Sequence, residues 1–149
     1  VLHIIYLLFN EGYYSTTQNQ TLRKDLCLEA LRLGLLLVDY DKTNIPKLNA
    51  LLALMCFHTS RLVARQNSNN DMILYEDQDE TLWNTGLIDQ GNRFLENSAQ
   101  GNEISSYHLE AGIAFWHCRK EDTKEKWESI LYHYDLLPQI NYSPNVVLN

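Results

Sequence analysis

Ionisable residues recur at helical spacing along this chain, and they are the first place to look for chemistry. Asp25 and Glu29 stand four positions apart and are followed by Arg32, while His58, Arg61 and Arg65 form a basic stripe on the next predicted helix. Residues four apart share one face of a helix, so each set forms a charged stripe, one acidic and one basic. We expect the two stripes to pair between adjacent helices, or to recognise a partner protein.

A second group is the acidic run Glu76–Glu80, in which Asp77 and Asp79 offer other partners for the basic stripe. The run lacks the alternating Asp/Asn residues and the central Gly of a calcium loop. We therefore interpret it as a solvated helix N-terminus, which the helix dipole favours. Trp83 follows it and is predicted to anchor the core.

The predicted fifth helix carries His108, Glu110, His117 and Cys118, which are candidate metal ligands. At about 100° per residue, Glu110 and His117 share a face, whereas His108 lies off it. No HExxH or CxxC motif accompanies them, and no two histidines stand four apart. Scattered serines and cysteines give no sign of a catalytic triad. We predict no metal, no cofactor and no catalytic residue.

Polar residues also end the first predicted helix, where Asn10, Glu11 and Tyr13 surround a glycine. They can line a functional site, or they can cap the helix and bond to a neighbour. A small-ligand-binding or enzymatic domain remains an alternative, and it requires four polar side chains to converge in one pocket. Those side chains are Glu11, His58, His108 and Glu110.

The elements that must position these residues are predicted to be helices, because strand alternation is nearly absent. Two segments are apolar most of the way round and are predicted to be inner helices of a stack. Successive hairpins of this size favour an all-α fold of about six to seven helices, with antiparallel hairpins stacked as a tetratricopeptide-like solenoid. The predicted helices are Leu2–Gly12, Leu22–Val38 (inner), Lys47–Arg65 (inner), Thr81–Asn97, Ser105 or Ser106 to about His117, and one from about Asp122 to Leu137.

Composition sets the class of protein. The 149 residues fit one domain, and a net charge of −7 argues against direct contact with nucleic acid. Three cysteines at unrelated spacings favour reduced thiols and a cytoplasmic location, and no apolar run is long enough for a membrane span. The chain begins inside an apolar helical pattern, and Ser143-Pro144 would begin another helix. We expect residues 1–149 to form a single helical domain of a longer protein.

Ordered motifs carry a resemblance to a known family. They are YLLFNEGY at residues 6–13, RKDLCLEALRL at 23–33, LLALM at 51–55 with His58, Arg61 and Arg65, IL at 73–74 with DQD at 77–79 and Trp83, YHLEA at 107–111 with His117, and YD at 134–135 with Ser143-Pro144. This series resembles the C-terminal extension of extracytoplasmic-function RNA polymerase sigma factors that have a tetratricopeptide-like domain. The chain departs from that pattern at Glu80, where the family tends to have a basic residue, and at Phe115-Trp116, which replace small residues.

The resemblance implies a function. The whole protein would bind core RNA polymerase and direct promoter-specific transcription initiation, with its promoter-binding regions preceding this domain. The domain itself would act by protein contacts, with the upstream sigma regions, core RNA polymerase or a signalling protein as partner. A helical adaptor unrelated to transcription is the other alternative. The candidate residues for partner contacts or internal polar contacts are Asn10, Glu11, Tyr13, Asp25, Glu29, Arg61, Arg65, Asp77, Asp79, Trp83, His108 and Glu110.

Overall fold

The computed structural model describes residues 1–14, 24–65 and 73–140, and it contains six α-helices in that part of the chain. Within these ranges no residue lies in a strand, so the all-α prediction is confirmed. The predictions for residues 22–23 and for Ser143-Pro144 lie outside the described residues. The helices are α1 (Leu2–Tyr13), α2 (Lys24–Val38), α3 (Pro46–Ser60), α4 (Thr85–Ser98), α5 (Ser106–His117) and α6 (Lys124–Ile140), and the 3-10 turns are Val63–Arg65, Tyr75–Asp77 and Glu80–Leu82.

Helix α3 is the centre of the fold. Twelve of its 15 residues are buried, and it contacts α1, α2, α4 and α5. Pro46 begins it, as the missing N–H of proline allows at a first helical position. The prediction of an inner helix is confirmed for α3. It is wrong for α2, because α2 buries only one face, made of Cys27, Ala30, Leu31 and Gly34, and leaves Leu28 and Leu36 exposed.

Close packing between α3 and its neighbours depends on two glycines. A Cβ added at Gly91 of α4 would lie 2.5 Å from the ring of Phe57, which is fully buried on α3. A Cβ at Gly34 of α2 would lie 2.7 Å from Leu52 on another side of α3. Such distances are too short for carbon atoms, so a larger residue at either position would force the side chain of Phe57 or Leu52 to move.

Two helix boundaries differ from the sequence prediction. The third helix ends at Ser60 and not at Arg65, and the fourth begins at Thr85, four residues later than predicted. Asn84 explains both differences. Its side-chain Oδ1 accepts a hydrogen bond from the Leu87 N–H at 3.0 Å, and its own N–H donates to the Ser60 carbonyl at 2.8 Å. Residues 73–83 consequently cross the C-terminal end of α3 before α4 starts.

Candidate functional site

Arg61 follows directly after α3 and is one of the most buried charged residues of the protein, with 5% of its surface exposed. Its guanidinium lies 5.4 Å from the ring centroid of Tyr75 and 5.8 Å from that of Trp83. Both rings belong to the crossing segment 73–83. Aromatic faces attract a cation through their negative quadrupole, so these two rings take the place that a carboxylate was predicted to fill.

Arg65 makes a similar contact on the other side, with the end of α1. Its guanidinium lies 3.8 Å from the ring centroid of Tyr13, and its Nη1 donates to the Tyr13 carbonyl oxygen at 3.0 Å. Tyr13 is buried, and its ring packs 4.4 Å from that of His58. The carbonyl at the end of a helix has no intrahelical partner, which makes it a suitable acceptor for an arginine.

Lys126, in the first turn of α6, is a third cation near this place, and it is fully buried. Its Nζ donates to the hydroxyl oxygen of Tyr75 at 2.9 Å and to the carbonyl oxygen of Arg119 at 2.7 Å. The Tyr75 hydroxyl in turn donates to the His117 carbonyl at 2.7 Å. We call Arg61, Arg65 and Lys126, with the rings of Tyr13, Tyr75 and Trp83, the cationic cluster.

Two histidines beside the cationic cluster have lowered pKa values, first because they are buried and then because of the nearby positive charges. Burial lowers the pKa of His117 to about 4, and the positive charges of Arg61 and Lys126 add to that effect. Burial, followed by Arg61 and Arg65, places the pKa of His58 well below its usual value. Both imidazoles are therefore neutral near pH 7. Burial also raises the pKa of the Tyr75 hydroxyl to about 12, so it stays protonated.

The predicted pairing between an acidic stripe and a basic stripe is wrong for the residues that the structure describes. Glu29 is exposed and pairs with Arg32 on its own helix, at 2.5 Å. Asp79 accepts hydrogen bonds from the backbone and the hydroxyl of Thr81, which lowers its pKa. The reason is positional, because the acidic face of α2 points to solvent while Arg61 faces the crossing segment.

Four other residues predicted to make partner contacts or internal polar contacts are exposed or half-buried. Glu11, Asp25 and Asp77 are exposed. Asn10 is half-buried on α1. Sequence reasoning missed Tyr75 and Lys126 as members of the cationic cluster. The spacing of Lys126 to the apolar Ile130, one helical turn away, was the signal that could have placed it on the buried face of α6.

A second region is a groove of about 1250 Å³ that runs between α1 and the end of α6 over the beginning of α5. Tyr6 and Tyr107 pack in it with ring centroids 5.2 Å apart, and the Lys47 ammonium lies 5.6 Å from the Tyr107 ring. Tyr134 and Leu137 of α6 line the facing wall. The groove therefore combines aromatic, apolar and charged side chains on a surface open to solvent.

His108 and Glu110, two of the predicted residues, line this groove with defined hydrogen bonds. His108 closes a capping box with Ser105, whose N–H donates to the His108 Nδ1 at 3.0 Å. Its Nε2 lies 3.0 Å from the Ser98 carbonyl and donates to it, which ties α5 to the end of α4. Glu110 accepts a hydrogen bond from the Tyr6 hydroxyl at 2.7 Å, and burial raises the pKa of its carboxyl.

The four side chains of the predicted ligand pocket do not come together. His108 and Glu110 line the groove, whereas His58 packs between the rings of Phe9 and Tyr13, and Glu11 points to solvent. Across residues 1–14, 24–65 and 73–140, no three His, Cys, Asp or Glu side chains are grouped so that they could hold a metal ion. Over the same ranges, no helix has the length and hydrophobicity that a membrane crossing requires.

Comparison with known proteins gives a family and one distant relative. The chain is 35% identical over 150 residues to the "Uncharacterized protein R00370" of Rhizobium meliloti (strain 1021), covering 100% of this chain and 35% of that protein. It thus spans about a third of the length of the relative. No solved structure matches it. Residues 1–99, the greater part of the 149, match a family of unknown function, and the chain therefore belongs to the DUF6596 family.

Proposed function

We propose that this chain is a non-catalytic protein-interaction domain and that it forms the C-terminal part of an extracytoplasmic-function sigma factor. The ordered motifs from YLLFNEGY to YD support the sigma-factor assignment, as does the net charge of −7, which suits a domain that leaves promoter contact to other regions. The consecutive contacts of α1 with α2, α3 with α4 and α5 with α6 support helical hairpins stacked as a tetratricopeptide-like solenoid.

The groove is the observation that carries the interaction role. Its volume is larger than that of the cavities of about 300–1000 Å³ that usually enclose small ligands, and it is open to solvent. Tyr134 and Ile104 stand exposed along it, with 52% and 60% of their surfaces accessible. An open groove with aromatic anchors between helices fits a helix or an extended segment of a protein partner.

The upstream sigma regions are the partner that we propose first, with core RNA polymerase and a signalling protein as the others. A relative nearly three times as long has room for such regions within one polypeptide. By this proposal the groove docks on the sigma regions and controls their access to core RNA polymerase. The whole protein would work in the cytoplasm, where transcription takes place, and it would bind no cofactor through this domain.

The test is a calorimetric titration of this domain against the separately expressed upstream region of its gene product. We expect binding at micromolar affinity or tighter, and we expect Tyr134→Ala to weaken it because Tyr134 lines the groove. Tyr132→Ala is the matched control, since Tyr132 is similarly exposed on α6 but does not line the groove. Equal losses with both variants would remove the groove from the proposal.

A parallel assay separates the sigma-factor assignment from the docking role. The full-length protein should co-purify with core RNA polymerase and support promoter-dependent transcription in a reconstituted reaction. If it binds the upstream region but gives no transcription, the domain is a helical adaptor unrelated to transcription. If it gives transcription without binding the upstream region, the groove faces outward, and core RNA polymerase becomes the partner to titrate.

A further inference from the structure

A separate cavity lies beside the cationic cluster, between the end of α3 and the turn Tyr75–Asp77. Its volume is about 340 Å³, and Arg61, Arg65, Tyr75, Gln78 and His117 line it together with two apolar residues of the crossing segment. Its polar lining thus includes two guanidinium groups. The large groove between α1 and α6 shares none of these residues, so the cavity is a distinct place on the molecule.

Arg61 is the charged residue of this cavity whose hydrogen-bonding capacity is incompletely used. The side chain is more than nine-tenths buried, and its Nε is buried without a hydrogen-bond partner in the described part of the chain. A guanidinium has five N–H donors and no acceptor, so only an acceptor can satisfy this group. Leaving a buried donor of a charged group unsatisfied costs more than the loss of an ordinary hydrogen bond.

Two further polar groups of the cavity are buried without partners among the described residues. They are the Nδ1 of His117 and the Oε1 of Gln78. The neutral imidazole of His117 can carry its proton on Nδ1 and donate it, and a 180° turn of the Gln78 amide presents an NH₂ donor. Three of the side chains that line the cavity therefore carry a buried polar atom with unused hydrogen-bonding capacity.

The charge around the cavity is positive although the protein is acidic. No carboxylate of residues 1–14, 24–65 or 73–140 forms a salt bridge with Arg61 or Arg65. The acidic residues of the adjacent turn, Glu76 and Asp77, are exposed. Cation–π contacts offset part of the cost of burying these charges, but an ion of opposite charge would offset more of it.

We propose that this cavity binds a small oxyanion, meaning a phosphate or sulfate ion or a single carboxylate group, with Arg61 and Arg65 as its principal ligands. Planar guanidinium groups match two oxygens of such an anion at once. His117 and Gln78 would complete the donor set. The inference stands apart from the sigma-factor assignment, because it depends only on this cavity and not on the groove.

The test is a calorimetric titration of the purified full-length protein with inorganic phosphate, using sodium chloride at matched ionic strength as the blank. We expect saturable binding of one phosphate per chain, with an affinity in the millimolar range or tighter. Titrations with sulfate and with acetate distinguish the source of the oxyanion. If acetate binds as well as phosphate, the ligand is a carboxylate-type group, and if only phosphate and sulfate bind, it is a tetrahedral anion.

Two variants locate the binding. Arg65→Gln should weaken phosphate binding about tenfold or more, since it removes a charge-assisted contact from a half-buried position. Arg93→Gln, at an exposed position on α4, is the matched control and should leave the affinity unchanged. Arg61→Gln should abolish binding, and if that variant does not fold, Arg65→Gln with a native circular dichroism spectrum decides.

A spectroscopic readout confirms the place of binding. The ring signals of His117 in a carbon–proton NMR spectrum should move on addition of phosphate, while those of the exposed His3 should not. Either of two results would overturn the proposal. One is the absence of saturable binding at tens of millimolar phosphate, and the other is binding that Arg65→Gln leaves unaltered.

Discussion

The outer face of α2 and the cationic cluster hold their charges in opposite ways. On α2, Glu29 and Arg32 pair on the helix surface, with 47% and 57% of their side chains exposed. In the cationic cluster, Arg61 and Lys126 are buried against aromatic rings, a hydroxyl and a carbonyl. Water screens the first pair strongly and the second group little. The spacing of charged residues shows which charges can pair, whereas burial decides which of them contribute to stability.

We expect the largest loss of stability from a substitution of Lys126, the fully buried lysine of the cationic cluster. Lys126→Ala removes the two hydrogen bonds to Tyr75 and Arg119 and the ion pair with Asp122 at 4.0 Å. It also empties the space of the lysine stem, which is fully buried. We expect the free energy of unfolding to fall by about 2–4 kcal/mol, measured by urea denaturation.

Lys124 provides the matched control for that experiment, because it lies on the same helix with 89% of its side chain exposed. Lys124→Ala should leave the urea midpoint unchanged, since its ion pair with Glu128 is long and open to solvent. If both lysine variants unfolded at the same urea concentration as the wild type, Lys126 would not be held as the structure shows.

A smaller effect is expected from Tyr75→Phe, which keeps the ring beside Arg61 and removes only the hydroxyl. The His117 carbonyl then loses its donor, and the Lys126 ammonium loses one acceptor. We expect a loss of about 1–2 kcal/mol in the free energy of unfolding by chemical denaturation. Tyr132→Phe, at an exposed position of α6, should change nothing, and a similar loss in that variant would contradict the assignment.

The cationic cluster should also make stability depend on pH through His117. Its pKa is about 4 in the folded chain and 6.5 without these surroundings, so between these values the unfolded chain binds a proton that the folded chain does not. The free energy of unfolding therefore has its full value above pH 6.5, and it decreases as the pH falls toward 4. His58 contributes with the same sign.

The measurement is the urea midpoint from neutral pH down to about pH 4. His117→Gln should flatten part of the fall, because glutamine binds no proton. His3→Gln, at an exposed site of α1, should keep the full dependence. Identical profiles for the wild type and His117→Gln would show that His117 is not shifted in this way.

The sequence predicted the helices better than the positions of the charges. Apolar periodicity identified all six described helices, and the all-apolar surface of α3 correctly placed it at the centre. The ends of α3 and α4 were wrong because a tertiary hydrogen bond, from the Asn84 N–H to the Ser60 carbonyl, sets them. A pattern of local spacing carries no information about such a contact.

The candidate site was predictable only in part. His108 and Glu110 were expected to matter, and they line the groove, yet the capping role of His108 depends on the turn that brings Ser98 beside it. Arg61 and Arg65 were singled out for their charge, but carboxylates were expected where Tyr75 and Trp83 stand. Cation–π partners come from a segment distant in sequence, so helical spacing could not reveal them.

The smallest effect is expected on the other side of the comparison, at Glu29. Glu29→Ala breaks an ion pair whose two side chains are both exposed, and water can hydrate Arg32 as well as Glu29 does. We expect the melting temperature to stay that of the wild type within error, at low salt and at high salt alike. A clear drop in melting temperature confined to low salt would mean that the ion pair on α2 contributes to stability despite screening. Both the outer face of α2 and the cationic cluster would then stabilise the fold, by different amounts.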